Sequence, residues 1–167
     1  MATNTLIQKL DATSLISNIT GSPGSYTSVA TPDVSNRRQV ETFIAGATVV
    51  VGDWLQFDTS ATGAARVLTV IQATNIALGN PLVCGVCLGS AETDGSLTAG
   101  SKINVVVAGY VEGANVDGAV VAGTPLVVDT TAGRGQAAAS GDISICGVAL
   151  EADAPVNKAA VWVYKQF

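Results

Sequence analysis

Apolar and polar positions alternate along this chain in short bursts, and glycine-rich or Ser/Thr-rich turns separate them. In Trp54-Leu-Gln-Phe-Asp58, Leu55 and Phe57 fall on one face, because side chains of a strand alternate with a period of two. In Pro125-Leu-Val-Val-Asp129, Leu126 and Val128 take the same two places. A glycine stands shortly before each strand (Gly52, Gly123), where a tight turn can use positive φ. An Asp-Thr pair follows each strand and suits a turn, since short polar side chains bond nearby backbone groups. The spacing therefore predicts one unit, written twice: apolar run, glycine turn, strand, Asp-Thr turn.

The duplication runs well beyond these strands. Val49, Val50, Gly52, Leu55, Asp58 and Thr59 recur 71 positions later as Val120, Val121, Gly123, Leu126, Asp129 and Thr130. The same register carries Val40-Glu41 to Val111-Glu112 and Ala61 to Ala132. Val83-Cys-Gly-Val-Cys-Leu88 recurs as Ile145-Cys-Gly-Val-Ala-Leu150, offset by 62. Ile103-Asn-Val-Val-Val107 is echoed by Ala159-Ala-Val-Trp-Val163, offset by 56. The shrinking offset places deletions in loops of the second copy, where a change of length costs little.

Taken in order, residues 39–58 predict two strands around Gly46, 59–66 a loop tip, and 67–77 a loosely alternating strand. Asn80-Pro81 breaks the chain before a strand at 82–88; residues 89–100 form a polar hairpin loop, and 102–108 a further strand. The second copy begins at Tyr110, with 151–158 as its hairpin loop and 159–165 as the last strand. The expectation is an all-β fold of two related β modules, residues 39–109 and 110–167, forming a sandwich or barrel. One compact domain over 39–167 is the alternative division.

Residues 1–38 differ from this pattern. They are rich in Ser, Thr and Asn, with small apolar pairs at Leu6-Ile7 and Leu15-Ile16. Leu6, Leu10 and Ile7 would share one side of a short helix over 4–19, but the periodicity is poor. The reading is an extended N-terminal arm that orders against a partner, against the alternative of a disordered leader. Fully extended, it spans roughly 120 Å. Leu6, Ile7, Leu10, Leu15 and Ile16 are its candidate contact residues. Arg37 and Arg38 close it, either pairing with carboxylates of a neighbour or of the body, or lying in a solvated turn.

Composition narrows the chemistry. The chain of 167 residues is 48% hydrophobic, 5% aromatic and 13% charged, with 18 Gly and no His. Its length supports a sizeable core without disulfides or metal. The low charged fraction fits either a deeply buried β fold or a surface covered by partners. Residues 1–40 carry Lys9, Arg37 and Arg38 against Asp11 and Asp33, so the net charge of −5 divides into +1 and −6. An acidic body repels phosphate backbones, so no nucleic-acid partner is expected. No apolar run approaches a membrane span and no signal peptide is evident, so synthesis in a cytoplasm and no membrane partner are expected.

Without histidine there is no Ser-His-Asp triad and no histidine metal site. Cys84, Cys87 and Cys146 are expected to be buried, reduced core thiols, since a lone CxxC lacks the second pair that zinc wants. Asp53, Asp58, Asp94, Asp117, Asp129 and Asp142 are expected in turns. Glu92-Thr-Asp94 lacks the ligand count of a calcium loop, and Gly133-Arg-Gly135 lacks the rest of a phosphate loop. Trp54 and Trp162 are expected in the core or an interface, with stacking on a sugar as the alternative. No cofactor and no enzymatic activity are expected.

One resemblance covers roughly residues 110–165, with a looser echo over 40–108. Val111-Glu-Gly, Gly123-Thr-Pro-Leu-Val-Val-Asp, Ile145-Cys-Gly-Val-Ala-Leu-Glu-Ala and Ala160-Val-Trp-Val-Tyr together resemble the small head decoration (capsid cement) proteins of tailed bacteriophages. The motifs are short and apolar. The chain departs from the shortest members in its long Ser/Thr-rich arm and fuller first copy. The resemblance implies a non-enzymatic β protein on the outer capsid surface of a virion, made in the host cytoplasm. It also implies the major capsid protein and neighbouring copies, as a trimer, for partners. Residues 1–38 would then fasten to the capsid or a neighbouring subunit. A spike, fibre base or tail-tube subunit, and a carbohydrate-binding β module, are the competing expectations.

Overall fold

The computed structural model describes residues 38–76, 79–118, 120–153 and 157–166. Of the expected contact residues, Leu6, Ile7, Leu10, Leu15, Ile16 and Arg37 lie outside the described residues, and Arg38 opens the first strand. The chain divides into Met1–Arg38 and a compact unit Gln39–Phe167.

Nine strands make up this unit among the described residues, with no α-helix. They are β1 (Arg38–Ala45), β2 (Trp54–Phe57), β3 (Thr69–Gln72), β4 (Val83–Ser90), β5 (Lys102–Asn115), β6 (Pro125–Val128), β7 (Gly135–Ala137), β8 (Gly147–Ala149) and β9 (Lys158–Val163). The expected strand at 67–77 is shorter, because a 3-10 turn takes up Gly63–Val67 and Arg66 bonds back to Ala61 O at 2.8 Å.

The first copy closes into a five-stranded barrel. Its strands run β1-β3-β2-β4-β5, and β5 pairs back onto β1. The closure between β1 and β3 is parallel, with Ala45 opposite Val70; the remaining registered neighbours are antiparallel. The second copy repeats the ring. β5 pairs with β9, β9 with β8, β8 with β6 and β6 with β7. A parallel bridge, Val116 with Gly135, then brings β7 back to the end of β5.

The repeat holds residue by residue. Trp54 opposite Val86 and Leu55 opposite Gly85 in the first ring become Pro125 opposite Val148 and Leu126 opposite Gly147 in the second. Val86 opposite Val106 becomes Val148 opposite Trp162. Even the thiols correspond: Cys84 Sγ donates to Leu55 O at 3.4 Å and Cys146 Sγ to Leu126 O at 3.3 Å. A glycine is required at Gly85 and Gly147, because a Cβ would lie 2.1 Å from Val106 O and 2.6 Å from Trp162 O respectively.

The sequence reading ended a strand at 108 and opened the second copy at Tyr110. Instead β5 runs unbroken through this boundary and serves both rings. Gly109 allows it: at φ +99° it keeps its pairing with Val163 while the strand changes partners. The modules are thus two rings sharing one strand.

Their interiors are filled differently. The first encloses Phe43, Leu55, Val70, Ile103, Val105 and Val107, with Phe57 packed at the edge. Equivalent positions in the second hold smaller residues. Phe43 becomes Ala114, Phe57 becomes Val128 and Ile103 becomes Ala159. Val70, placed by its pairing with Phe57, becomes Gly135, which pairs with Val128. The space is taken by Trp54, which projects from the outer face of β2 in the first ring. Its indole is fully buried within the second cluster, and its Nε1–H donates to Asn115 O at 3.1 Å. A Cβ on Gly135 would lie 2.8 Å from that nitrogen, and one on Gly147 3.0 Å from Cη2.

This packing predicts an antagonistic pair. Trp54→Ala should cost about 3–5 kcal/mol through the cavity it leaves. Gly135→Ala should cost about 1–3 kcal/mol through overpacking against the indole. Combined, the two should cost less than their sum in denaturant unfolding, because the new methyl no longer meets an indole. Strict additivity would show that Gly135 does not abut Trp54.

Candidate interaction face

The chemistry-bearing side chains are largely engaged with their own turns. Asp58 Oδ1 accepts from the Ser60 amide and hydroxyl at 2.9 and 2.6 Å, and these bonds hold its carboxyl below the usual range. At the equivalent place in the second copy, Asp129 Oδ1 accepts from the Thr130 amide at 2.6 Å. Asp94 and Asp142 accept from the amides of Ser96 and Ala139 at 2.9 and 2.7 Å. Asp117 accepts from the Gly118 amide at 3.0 Å and sits 3.6 Å from Arg134. The expected turn role thus holds for these five.

Asp53 is different, and the turn expectation for it is too simple. It is buried, and its carboxylate collects donors from both halves of the chain. Oδ2 accepts from the Val50 amide at 2.9 Å and Gln72 Nε2 at 2.7 Å, and Oδ1 from Asn115 Nδ2 at 2.8 Å. Backbone bonds run alongside. The Trp54 amide donates to Gly133 O, the Gly133 amide to Ala73 O, and the Asn115 amide to Gly52 O, at 2.8–2.9 Å. This is a structural joint, since the three donors that satisfy the buried carboxylate come from the turn at Val50, from β3 and from β5. Its side-chain partners lie 19 and 62 positions away in sequence, and only the Val50 amide is local, so the local motif announces a turn and not the joint.

The thiols are buried and unpaired with one another, as expected. Burial pushes Cys84 and Cys146 up to about 12 and Cys87 up to about 11. A thiol so protonated is a poor nucleophile and metal ligand. Among the described residues no group of three or more His, Cys, Asp or Glu could hold a metal ion. An open cleft of about 330 Å³ is lined by Phe57, Asp58, Thr59, Arg66, Val67 and Leu82. Its carboxylate and guanidinium bond to neighbouring loop atoms.

Exposed apolar residues are scattered over several loops of the described body, among them Ile143 and Val67, but on the outer face of the second ring they line up. Tyr110 on β5 lies opposite Trp162 on β9, Trp162 opposite Val148 on β8, and Val148 opposite Pro125 on β6. Four strands thus present one continuous apolar row. Leu150 and Tyr164, just past the ends of β8 and β9, extend it on either side at a spacing of two from Val148 and Trp162, held by backbone bonds to Ala160 O and Cys146 O. Trp162 is 37% exposed, Tyr164 43% and Leu150 45%. Sequence reasoning singled out Trp162 but not the row, because its members lie up to 52 positions apart (110 to 162) and meet only through sheet register.

Comparison with protein-family models finds no match, and no curated protein matches the chain.

Two measurements probe this chemistry. All three thiols should resist alkylation at pH 8 in the native protein and react at once on unfolding. Because the folded thiol pKa values lie above the ordinary 9.0, the unfolded chain ionises first as pH rises. Stability should therefore be intact below pH 9 and decline from there towards about 12. Rapid labelling of Cys84 or Cys146 in the native state would contradict their burial. Separately, Asp53→Asn should cost about 1–3 kcal/mol in unfolding free energy, because its amide turns a donor towards donors. An unchanged denaturation midpoint would remove Asp53 from the joint.

Proposed function

We propose that this chain is a structural virion protein that binds the outer surface of an assembled phage head and stabilises it, as a decoration or cement protein does. One observation carries the general part of the reading. The aspartates at 53, 58, 94, 117, 129 and 142 hold the body's own turns and joint, while an apolar row centred on Trp162 lies on the outer face of the second ring. Such a body works through contact area rather than chemistry on a substrate. The specific part rests on the resemblance over residues 110–165. The stretches that carry it supply the end of β5, β6, β8 and β9, the strands that bear the row.

In this reading the major capsid protein is the partner, and residues 1–38 supply the attachment through Leu6, Ile7, Leu10, Leu15, Ile16, Arg37 and Arg38. An extended attachment adds contact area without enlarging the body, and several weak contacts combine through avidity. The acidic body, at −6 over residues 41–167, favours solubility on a crowded particle surface. A spike, fibre base or tail-tube subunit shares this composition and would be present in far fewer copies per particle.

A second reading, a carbohydrate-binding module, is favoured by one observation: Trp162 and Tyr164 are exposed on the same face. Trp54, the other indole the sequence offered as a sugar platform, is excluded by its complete burial. Titration with oligosaccharides would then quench Trp162 emission, and Trp162→Phe would abolish the response.

The direct test is cosedimentation of the full chain with mature heads that lack it. Saturable binding at a stoichiometry matched to the shell lattice is the expected result. Replacing Leu6, Ile7, Leu15 and Ile16 with Ser should weaken that binding at least ~10-fold, the equivalent of about 1.4 kcal/mol. Heads that bind none of the protein would overturn the cement reading. Full affinity after the four substitutions would overturn the assigned attachment.

A further inference from the structure

We infer that the outer row of the second ring, Tyr110, Trp162, Val148 and Pro125 with Leu150 beside it, is a docking face for a second copy of this chain. The internal repeat carries this. The equivalent row on the first ring is Val106, Val86 and Trp54, with Leu88 in the place of Leu150. That row is not exposed. Trp54, Val86 and Val106 are fully buried, and Leu88 packs against the same cluster. They are covered by residues of the second ring, including Val111, Ala114, Leu126, Cys146, Val161 and Val163. In this molecule, then, that face of a ring is an interface with another ring of the same fold. The second ring carries the same face in the same register, and there Trp162, Leu150 and Pro125 are exposed while Tyr110 and Val148 are half-buried.

The exposed row has kept its apolar character. Val106 has become Trp162, a larger apolar surface, while Val86 and Leu88 remain Val148 and Leu150. An indole 37% exposed within a four-strand apolar row is the kind of anchor that dominates protein interfaces. Exposed carboxylates at Glu112 and Glu151 border it, giving the polar rim such interfaces have.

The contact cannot copy the intramolecular joint in detail. Pro125 stands where the inserting Trp54 would be, and the first ring's interior is already filled by Phe43, Phe57, Val70 and Ile103. A second copy therefore meets the row face against face, with Trp162 packed between bodies rather than inserted into a ring. This does not depend on the capsid reading, since it concerns the free protein.

Sedimentation velocity and equilibrium on the full chain provide the test. The wild-type protein should sediment above monomer mass at high micromolar concentration and dissociate on dilution. Dissociation should shift tryptophan emission to the red, with the shift absent in Trp162→Phe because Trp54 is buried in either state. Trp162→Glu and Val148→Glu should each weaken association ~100-fold or more while the far-ultraviolet circular dichroism stays native. Ile143→Glu, at an 80% exposed apolar residue outside the row, should leave association unchanged. A wild-type chain that stays monomeric throughout would overturn the inference. So would an assembly whose mass is the same in wild type, Trp162→Glu and Val148→Glu. Failure to bind heads, with row-dependent association intact, would count against the capsid reading alone.

Discussion

Trp54 is held inside a ring to which its own strand does not belong, and the rest of the unit is arranged around that fact. Protein interiors are packed to the density of organic crystals, so two copies of one ring cannot both hold the same residues and also admit an indole. The second copy solves this by subtraction. Alanine replaces Phe43, valine replaces Phe57, alanine replaces Ile103, and glycine stands where the register puts Val70. No one of these changes makes the space of an indole, but together they do. The divergence of the two copies is therefore coordinated by a single side chain.

The joint also has a polar part, and the two parts constrain each other. Burying an aromatic ring is non-directional and would tolerate several orientations of one ring against the other. The Nε1–H of Trp54 removes that freedom, because a buried indole N–H needs an acceptor and Asn115 O supplies it. Asn115 is in turn held by Asp53 through its side chain and by Gly52 through its amide. Asp53, Trp54 and Asn115 thus form a closed set in which each residue fixes the next. A buried carboxylate is costly unless paired or hydrogen-bonded, and three donors with good geometry meet that cost here.

Much of this fold was legible in one sequence, for a definite reason. A duplicated chain shows which spacings matter, since positions recurring at 71, 62 and 56 mark the strands and the changes of offset mark the loops. Alternation then put Leu55 with Phe57, and Leu126 with Val128, on one face of each strand, and those are the faces turned to the cores. Legibility ended where information is non-local. The start of the second copy at Tyr110 looked like a break between strands; only the pairing of Gly109 with Val163 reveals one strand running through it. Asp53 resembled the other turn aspartates because its one local contact, the Val50 amide, is of their kind and its side-chain partners, Gln72 and Asn115, are remote. The uncovered row was invisible because alternation says which residues leave a core, and not whether something else covers them.

That distinction explains why the described unit stops at two rings. A ring whose outer face fits the interior of the next is a heterologous device, and repeated without change it would stack indefinitely. The chain ends the stack at both sides by altering one partner of the joint at each. On the first ring, Phe43, Phe57, Val70 and Ile103 fill the interior and leave no place for an indole. On the second, Pro125 replaces the indole; proline is tolerated there because it is the first residue of β6, and its ring is too short to insert as Trp54 does. What persists on the second ring is the apolar row without its inserting residue. The same substitution that terminates the intramolecular stack thus leaves a face able to join bodies but unable to lengthen the stack ring by ring.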